Sequence, residues 1–587
     1  MRLPRLPRAL RIVLFLAAVL HVIGLSWGLP SSTGWDNDGV APREILPGLA
    51  ATFTPGQFYT YPPLHLALLA LLTLPVTLIA VFRAPTTALP DVIAEILQPP
   101  YMTAFSLTAR VTSLVMSLGV AVALAKMTEE IAGRDDPSAR RAGVFTAAVA
   151  SVGMTFNYYA HMSNLDMPSL FWASLAALAF VRAAARQEPR RLRGAALLAA
   201  CAVATKDQTY ALFIVAIPIL LAPWFAKTLS GVQGRRSALR ARRGPWRESS
   251  RGQSPLEQEK LLLREIGIAV LLGAGVLLLV DGAITNPSGF ARRVAFLRGP
   301  ASQDFSNYER GVRGVVAIFV DVARGFDRSY PLAMAPFVLG GIVLALRATR
   351  RRTIALAPLL FGLSFTLAFN VAARRTDDRF VLPQMLFLSV YAGIGLERVW
   401  TLGRLGGRAI VVTLLLLSLW TSLRVDFMLL YEPRYATEAF LAANVGPDDT
   451  IEIHGLNVYL PRFPPARIVR VGPSDPKRRA PLPGVVEVEA PYSEIASRRP
   501  RFIVVSKCFV WRYLAEEAAR DAGPGRMYPV GQQREAVDRD PNEFFQGLFA
   551  GRLGYHVAHE APPFPGWFEP VEFHASLNCR ATTFERD

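Results

Sequence analysis

Apolar runs of about 20 residues recur along the first 430 residues of this chain, and a helix needs about that length to cross a bilayer. The candidate spans are residues 11–29, 103–125, 142–160, 167–185, 265–284, 331–347, 353–371, 380–399 and 409–430, with a shorter pair at 194–205 and 209–226. Of the 587 residues, 52% are hydrophobic and only 19% are charged, which excludes a soluble multidomain protein and a disordered chain. The sequence therefore predicts a polytopic α-helical membrane protein.

The excess positive charge lies among these apolar runs. Lys and Arg number 64 against 46 Asp and Glu, which gives a net charge of +18. Residues 431–587 hold 19 basic and 21 acidic side chains, so residues 1–430 carry the whole excess. Basic inner loops of a membrane protein explain this distribution. No nucleic-acid-binding motif competes with that interpretation, so we expect the lipid bilayer, and no nucleic acid, as a partner.

Loop charge predicts the topology. The first span begins among four arginines and lacks a cleavage site, so it is predicted to be retained with the N-terminus in the cytoplasm. Segment 62–82 is long enough to cross, but a crossing there would turn the basic loops outward, against the positive-inside tendency. Those loops are 126–141, 182–193, 227–264, 347–352 and 398–408. We therefore predict that 62–82 is embedded in the membrane without crossing it, which leaves about eleven transmembrane helices.

This topology places four loops and the C-terminus outside. The outer loops are 30–101, 161–166, 285–330 and 372–379. After residue 430 the chain is charge-balanced, with β-like runs at 450–454, 467–471 and 502–506 and helix-like runs at 434–444 and 511–520. We predict a transmembrane domain over residues 1–430 and an extracytoplasmic α/β domain over residues 431–587 in the cytoplasmic membrane of the cell.

Two of the three cysteines, Cys508 and Cys579, fall in the predicted outer domain. An oxidising compartment favours a disulfide between them. Two buried free thiols explain the same residues equally well. The sequence leaves both alternatives open.

Aspartates near the outer ends of the spans are candidate functional groups, because burying charge near lipid is costly. Asp36 and Asp38 stand in the sequence Gly34-Trp-Asp-Asn-Asp-Gly39, where two carboxylates can share one cation, or one can act as a base while the other positions it. A solvated turn is the structural alternative. Asp166 lies in a short loop without Lys or Arg, where it caps the following helix or serves a function compatible with capping.

Basic residues on the outer side run against the topology rule and are informative for that reason. Lys206 lies at the tip of the short hairpin, and Arg374, Arg375 and Arg379 flank two aspartates just before a span. Outward cations near the interface suit a phosphate, which guanidinium groups bind bidentately. Contact with anionic lipid headgroups, or pairing with the aspartates, is the alternative.

Aromatic residues in the same outer segments are candidate substrate-binding groups. Tyr59, Tyr61 and Tyr158 suit stacking on a sugar ring, although an interfacial aromatic belt is the commoner explanation. His65 joins them as a substrate-binding candidate. His65 and His161 lack the ligand spacing of a zinc site.

Five motifs in order resemble the GT-C glycosyltransferases over residues 11–430. The nearest relatives by these motifs are the dolichyl-phosphate-mannose–protein mannosyltransferases and the bacterial aminoarabinose lipid A transferases. The motifs are the aspartate motif after the first helix, Tyr61-Pro-Pro-Leu64, Leu165-Asp-Met-Pro168, Thr205-Lys206 and Arg379-Phe-Val-Leu-Pro383. The tail after residue 430 looks like that of bacterial members of the same group.

The resemblance implies an inverting, mannosyltransferase-like membrane glycosyltransferase of the cell envelope. It implies a polyprenyl-phosphate sugar donor and a hydroxyl acceptor on a glycan, lipid or protein. Asp36 and Asp38 map onto the catalytic base or metal contact of the family, with Mg²⁺ or Mn²⁺ as the cation, and Asp166 maps onto its second-loop aspartate. Lys206 and Arg379 map onto basic residues of the family, and with Arg374 and Arg375 they are the expected donor-phosphate ligands. A transporter or flippase and a non-catalytic membrane scaffold are the alternatives.

Overall fold

The chain forms a helical body followed by a six-stranded sheet. The computed structural model describes residues 6–36, 39, 44–133, 136–226, 255–349, 351–473, 484–514, 526, 539–571 and 577–587. Asp38 and most of the predicted inner loop 227–264 lie outside these residues. The predicted helical fold with a C-terminal α/β part is therefore present in the part of the chain that the structure describes.

Helices form most of the described chain up to residue 444. Their bounds are Arg8–Val22, Ile45–Phe53, Leu64–Leu72, Leu74–Arg83, Leu89–Ile96, Pro99–Ala132, Pro137–Ser151, Met154–Ala160, Asp166–Arg186, Arg191–Val203, Asp207–Ala226, Pro255–Val280, Pro287–Arg298, Pro300–Gln303, Val312–Ser329, Ala335–Ala348, Arg352–Ala355, Ala357–Phe365, Asp378–Leu402, Arg404–Leu430 and Arg434–Asn444. The Asp378–Leu402 helix is the most enclosed of the long ones, because its apolar side chains contact helices on several sides.

Six described helices are long and apolar enough to cross a membrane. They are Pro99–Ala132, Asp166–Arg186, Asp207–Ala226, Glu259–Val280, Asp378–Leu402 and Arg404–Asn444. Counting two bent helix pairs as one span each gives up to eight. The predicted span 142–160 is divided into Pro137–Ser151 and Met154–Ala160, with Gly153 between them. The number of eleven crossings thus stays a prediction.

One bent pair falls where the sequence predicted a departure from simple crossing, and the other includes the predicted span 331–347. Leu64–Leu72 and Leu74–Arg83 meet at 59°, at the position of the segment predicted to be embedded without crossing. Val312–Ser329 and Leu332–Ala348 meet at 100°. The region 285–330, predicted only as an outer loop, therefore contains helices of its own, because its apolar residues recur at helical spacing among charged ones.

The sheet lies in residues 450–587. Its strands are β1 (Thr450–Ile453), β2 (Arg467–Gly472), β3 (Val485–Glu489), β4 (Phe502–Ser506), β5 (Tyr555–Glu560) and β6 (Ala581–Arg586). The order is β3-β2-β1-β4-β6-β5, with the first four strands parallel and β6 antiparallel to both β4 and β5. Helices Lys507–Leu514 and Arg539–Phe549 pack beside it, and a disulfide joins Cys508 to Cys579. Residues 434–587 are here called the C-terminal region.

Candidate functional site

Asp36 lies in a buried ion pair with Arg110. Arg110 Nε and Nη2 donate to the two carboxylate oxygens of Asp36, each at 3.1 Å, and the Ser163 hydroxyl donates to Asp36 Oδ2 at 2.6 Å. Arg110 Nη1 also donates to the carbonyl oxygens of Leu25 and Trp27, at 2.7 and 2.8 Å. Arg110 comes from the Pro99–Ala132 helix, so this cluster fastens the loop predicted as the first outer loop, residues 30–101, to a long helix. Asp36, Arg110 and Ser163 are here called the Asp36 cluster.

The first and second outer loops touch directly at this cluster. Gly39 pairs with Asn164 in an isolated antiparallel bridge. A Cβ atom on Gly39 would lie 2.7 Å from both Asp36 Cβ and Ser163 Oγ, so a larger residue there would force the loops apart. Asp38 adjoins this contact in sequence but lies outside the described residues.

Asp166 and Lys206 form the second buried ion pair. Lys206 Nζ donates to Asp166 Oδ1, and both residues are less than a tenth exposed. Asp166 opens the Asp166–Arg186 helix, and Asn164 Oδ1 accepts from its backbone N–H at 3.2 Å. The positive end of the helix dipole favours a carboxylate at this position. Ser163 and Asp166 are three residues apart, which an extended chain spans in at most about 11 Å, so the two ion pairs are neighbours.

Three cationic side chains surround the ring of Phe380. Lys206 Nζ lies 5.2 Å from the ring centroid, and the guanidinium carbons of Arg375 and Arg379 lie at 4.7 and 4.8 Å. Cations at these distances are attracted by the face of an aromatic ring. Asp377 Oδ2 accepts from Arg375 Nη2 at 3.1 Å and lies 3.8 Å from Arg379 Nε. Three cations and the two carboxylates of Asp166 and Asp377 thus lie together around this ring.

A small cleft of about 20 Å³, room for about one water molecule, opens beside this group. Its charged and polar lining residues are Asp166, Ser169, Lys206, Gln208, Thr209 and Arg379, and its apolar lining residues are Leu170, Leu212, Phe365, Phe380 and Pro383. The lining thus combines two cations and one carboxylate with apolar side chains. This cleft, together with Arg375 and Asp377, is here called the Lys206 cleft.

Arg374 does not line this cleft. Its Nη1 donates to the Tyr308 carbonyl oxygen at 2.9 Å, and its own carbonyl accepts from Asn307 N at 2.9 Å. These bonds fasten Arg374, with its φ of +52°, to the 285–330 region. Of the three arginines predicted as phosphate ligands, Arg375 and Arg379 surround Phe380, and Arg374 supports the loop.

Tyr59 and Tyr61 pack close to the second outer loop. Both belong to an apolar cluster with Leu66, Ala109 and Leu165, the last of which directly precedes Asp166. The Tyr59 hydroxyl donates to Glu44 Oε2 at 2.7 Å, and burial together with the Glu44 charge raises the pKa of Tyr59. Packing is the role that these contacts assign to both rings.

His65 is buried in the same area, in the Leu64–Leu72 helix. The backbone N–H of Leu64 donates to the Ala204 carbonyl at 3.1 Å, so this helix begins beside the turn that carries Lys206. Among the described residues, no group hydrogen-bonds to either His65 ring nitrogen. The contacts place His65 behind the site and not in the Lys206 cleft.

Of the two adjacent tyrosines, Tyr159 is the one that faces the ionic groups. The charges of Asp166 and Arg379 act on its hydroxyl. Tyr159 is only 1% exposed, and no hydrogen-bond partner for its hydroxyl is present in the described residues. Tyr158, which the sequence singled out, packs its ring edge-to-face on Tyr159 at 5.0 Å within the core of the helical body.

The donor set at Asp36 does not fit a divalent cation. Arg110 already neutralises this carboxylate, and hydrogen bonds occupy both oxygens. The described part of the chain holds no cluster of three or more His, Cys, Asp or Glu side chains that could bind a metal. A metal contact by Asp36 therefore conflicts with its pairing, and Asp38 lies outside the residues on which this test is made.

Sequence reasoning missed three residues of the site: Arg110, Ser163 and Phe380. An arginine in the middle of an otherwise apolar span was the available signal for Arg110, because an unpaired charge at that depth is costly. Phe380 is the second residue of the Arg379-Phe-Val-Leu-Pro383 motif. Ser163 carried no signal, since hydroxyl groups are common in helix ends and loops.

Comparison with known proteins adds structural likenesses. No protein-family model and no curated protein matches the chain. Among solved structures, the chain is similar to ArnT from Cupriavidus metallidurans in the apo state, with 16% identity, a TM-score of 0.48, and 85% of this chain and 93% of that chain covered. For ArnT bound to undecaprenyl phosphate, the identity is 15% and the TM-score 0.46, with 85% of this chain and 93% of that chain covered.

A further likeness is to the archaeal oligosaccharyltransferase AglB from Archaeoglobus fulgidus in complex with an inhibitory peptide and a dolichol-phosphate. Its identity is 12% and its TM-score 0.45, with 95% of this chain and 80% of that chain covered. Since each TM-score is below 0.5, what the chain does has to be inferred from its own residues.

Proposed function

We propose that this chain is a membrane glycosyltransferase that moves a sugar from a polyprenyl-phosphate donor to an acceptor hydroxyl on the extracytoplasmic face, with inversion. The observation that carries the proposal is the Lys206 cleft, where Lys206 and Arg379 lie beside apolar side chains. A polyprenyl-phosphate sugar has the matching chemistry, because it joins an anionic phosphate to an apolar chain.

The cations of the Lys206 cleft suit the leaving group of this reaction. The bond between the anomeric carbon and the donor phosphate oxygen breaks, and negative charge builds on the lipid phosphate. Preorganised cations aimed at developing charge are usually the largest single contribution to catalysis. Lys206 and Arg379 line the cleft, and Arg375 adds its charge at the Phe380 ring. We assign these three residues to the donor phosphate.

The acceptor side is assigned to the Asp36 cluster. The acceptor oxygen forms the new bond to the anomeric carbon from the face opposite the phosphate, and its proton has to be taken up. Both oxygens of the Asp36 carboxylate accept hydrogen bonds from Arg110 or Ser163, so its orientation is fixed. Asp36 therefore orients the acceptor hydroxyl in this scheme, and the released lipid phosphate is the final proton acceptor. Asp166 holds Lys206 in place.

The proposal includes the topology and the two-domain division predicted from the sequence. The N-terminus is placed in the cytoplasm, with the transmembrane domain over residues 1–430 and an extracytoplasmic domain over residues 431–587. A Pro90→Cys variant in a Cys201→Ser background tests this arrangement, because position 90 is exposed and the two other cysteines are joined. Labelling of intact cells by a membrane-impermeant thiol reagent is expected. Labelling only after permeabilisation would overturn the topology.

The activity is tested with purified protein in lipid nanodiscs and a panel of radiolabelled polyprenyl-phosphate sugars. Consumption of one donor, release of polyprenyl phosphate and transfer of the label to an added cell-envelope extract are expected. The Lys206→Gln variant is the matched loss-of-charge control and should leave the donor intact. A protein that moves the intact donor across a sealed vesicle without cleaving it would instead be a flippase and would overturn the proposal.

A further inference from the structure

The residue directly before Asp36 is held by the C-terminal region. Trp35 is 2% exposed, and its ring Nε1 donates to the Leu460 carbonyl oxygen at 2.9 Å. The guanidinium carbon of Arg434 lies 3.9 Å from the Trp35 ring centroid, and the Tyr435 ring packs against the same indole at 5.2 Å. Tryptophan offers the strongest cation–π face among the side chains.

The backbone of the first outer loop is fastened to the same surface. The Tyr435 hydroxyl accepts from the backbone N–H of Gly28 at 3.1 Å, and Arg462 Nη1 donates to the Leu29 carbonyl at 2.7 Å. Gly28 has a φ of +70°, and a Cβ atom there would lie 2.6 Å from the Trp35 ring. The indole thus occupies a slot formed by loop backbone on one side and the C-terminal region on the other.

Arg434 is itself fixed by a fully buried partner. Its Nε donates to Glu432 Oε1 at 2.9 Å, and neither side chain is exposed to solvent. Glu432 in turn accepts from the backbone N–H groups of Asn578 and Cys579, at 3.0 Å each. Cys579 is joined to Cys508 by the disulfide. Burying two charges is costly unless further hydrogen bonds satisfy them, and here such bonds are present.

These contacts form one unbroken series from the disulfide to the Asp36 cluster. It runs from Cys579 through Glu432 and Arg434 to Trp35, which is bonded covalently to Asp36. On the other side of Asp36, Arg110 and Ser163 hold the carboxylate, and the Gly39–Asn164 bridge holds the backbone that follows. A displacement of about 1 Å at a reacting group can cost a large part of the rate.

We propose that Arg434 is a positioning residue: through its stack on Trp35, the C-terminal region sets the placement of the Asp36 carboxylate and thereby the turnover rate. This inference rests on the proposed function, since it assumes sugar transfer at the Asp36 cluster. Arg434 does not touch substrate in this scheme. The donor phosphate is bound at the Lys206 cleft, so the affinity for donor is independent of Arg434.

The main test uses Arg434→Lys, which keeps a charge for Glu432 but lacks the planar face that stacks on indole. We expect kcat to fall by at least about 10-fold while the KM for the polyprenyl-phosphate sugar stays within about 2-fold, because only orientation is lost. Arg501→Gln is the matched control. It removes an exposed arginine that pairs with Asp449 and Glu585 at the strand ends of the same region, and both constants should stay at the wild-type values.

A spectroscopic readout separates this inference from the proposed function. Protein labelled with 5-fluorotryptophan gives a ¹⁹F resonance for Trp35, assigned by its loss in Trp35→Phe. Arg434→Lys should shift or broaden that resonance, and Arg501→Gln should leave it in place. An unmoved resonance with wild-type kcat overturns the positioning role. If wild-type protein transfers no sugar from any donor, the proposed function fails, and a resonance that does not move still overturns the contact.

A second variant covers the case in which Arg434→Lys does not fold. Trp35→Leu leaves the Glu432–Arg434 pair intact and removes the Trp35 indole, with its contacts to Arg434, Tyr435 and the Leu460 carbonyl. The same fall in kcat at constant donor KM is expected. A folded Trp35→Leu protein with full kcat would overturn the proposal.

Discussion

The Asp36 cluster and the Lys206 cleft are neighbours, because Ser163 and Asp166 are three residues apart in sequence. The two groups differ in how their charges are paired. In the first, one carboxylate and one guanidinium neutralise each other, and further hydrogen bonds satisfy both groups. In the second, three cations lie around one aromatic ring with two carboxylates, beside apolar side chains. The difference predicts that the first group serves placement and that the second binds an anion.

Removing the carboxylate of the Asp36–Arg110 pair should have the largest effect. Asp36→Ala leaves the Arg110 guanidinium buried without a counter-charge, which is expected to cost about 3–5 kcal/mol of stability. Thermal unfolding in detergent measures this loss of stability. The double variant Asp36→Ala/Arg110→Met removes the unpaired charge and should recover most of the stability without recovering transfer. A single variant as stable as the wild type would show that the pair does not support the fold.

Removing a cation from the Lys206 cleft should act on binding more than on stability. Lys206→Gln loses a charged hydrogen-bond donor, so the affinity for polyprenyl phosphate is expected to fall about 10- to 100-fold. Asp166 keeps the favourable end of its helix, so unfolding should shift less than in Asp36→Ala. Lys126→Gln is the control, because Lys126 pairs with Glu129 within the Pro99–Ala132 helix and does not line the cleft. Equal affinity of Lys206→Gln and Lys126→Gln for polyprenyl phosphate would show that Lys206 does not bind the phosphate.

Variants of Tyr158 and Tyr159 test whether the Tyr159 hydroxyl belongs to the site around Lys206. A buried hydroxyl without a partner costs stability, so Tyr159→Phe should be as stable as the wild type or more stable by about 1 kcal/mol. If the Tyr159 hydroxyl contacts the substrate, the same variant should lose transfer activity by about 10-fold. Tyr158→Phe is the matched control, with activity near that of the wild type. Steady-state transfer and thermal unfolding of both variants decide whether the hydroxyl or only the ring matters.

Arg293 is another buried cation, and two carboxylates lie beside it. Arg293 Nη2 donates to both oxygens of Asp207 at 2.8 and 2.7 Å, and Asp281 Oδ2 lies 3.7 Å from Nη1. Burial raises the pKa of Asp281 from 3.8 to about 6, against the lowering effect of Arg293 and with a further rise from Asp207. The folded state therefore holds a proton that the unfolded state has released between these two pH values.

The sign of the resulting pH dependence follows from this difference in bound protons. The contribution of Asp281 to stability is greatest below pH 4, falls as the pH rises from about 4 to 6, and stays at its lower level above that. Asp281→Asn should therefore raise the unfolding temperature at pH 7.5 by a few degrees and flatten the decline between pH 4 and 6. Asp207→Asn should lower it, because Arg293 loses its bidentate partner. Parallel curves for wild type and Asp281→Asn would contradict the raised pKa.

The sequence alone was sufficient for features that depend on local pattern. Apolar runs marked the long helices, because 20 apolar residues have few other stable environments. Alternating β-branched residues marked β1, β2 and β4, which are present near 450, 467 and 502. The order of the motifs also brought Asp166, Lys206 and Arg379 into one site, and the structure places these three residues along one cleft. The number of membrane crossings depends on where helices bend, and the spacing of apolar residues does not predict bends.

Only the tertiary structure decided which partner each charge has. Arg110 is 74 residues from Asp36, and Ser163 is 127 residues from it, so no local pattern could pair them. The same holds for Trp35 and Arg434, which meet because the C-terminal region folds back over the first outer loop. Pairing turned Asp36 from a candidate metal ligand into a neutralised carboxylate. Composition and spacing determine which charges the chain must place near the membrane, whereas packing determines which of them are balanced.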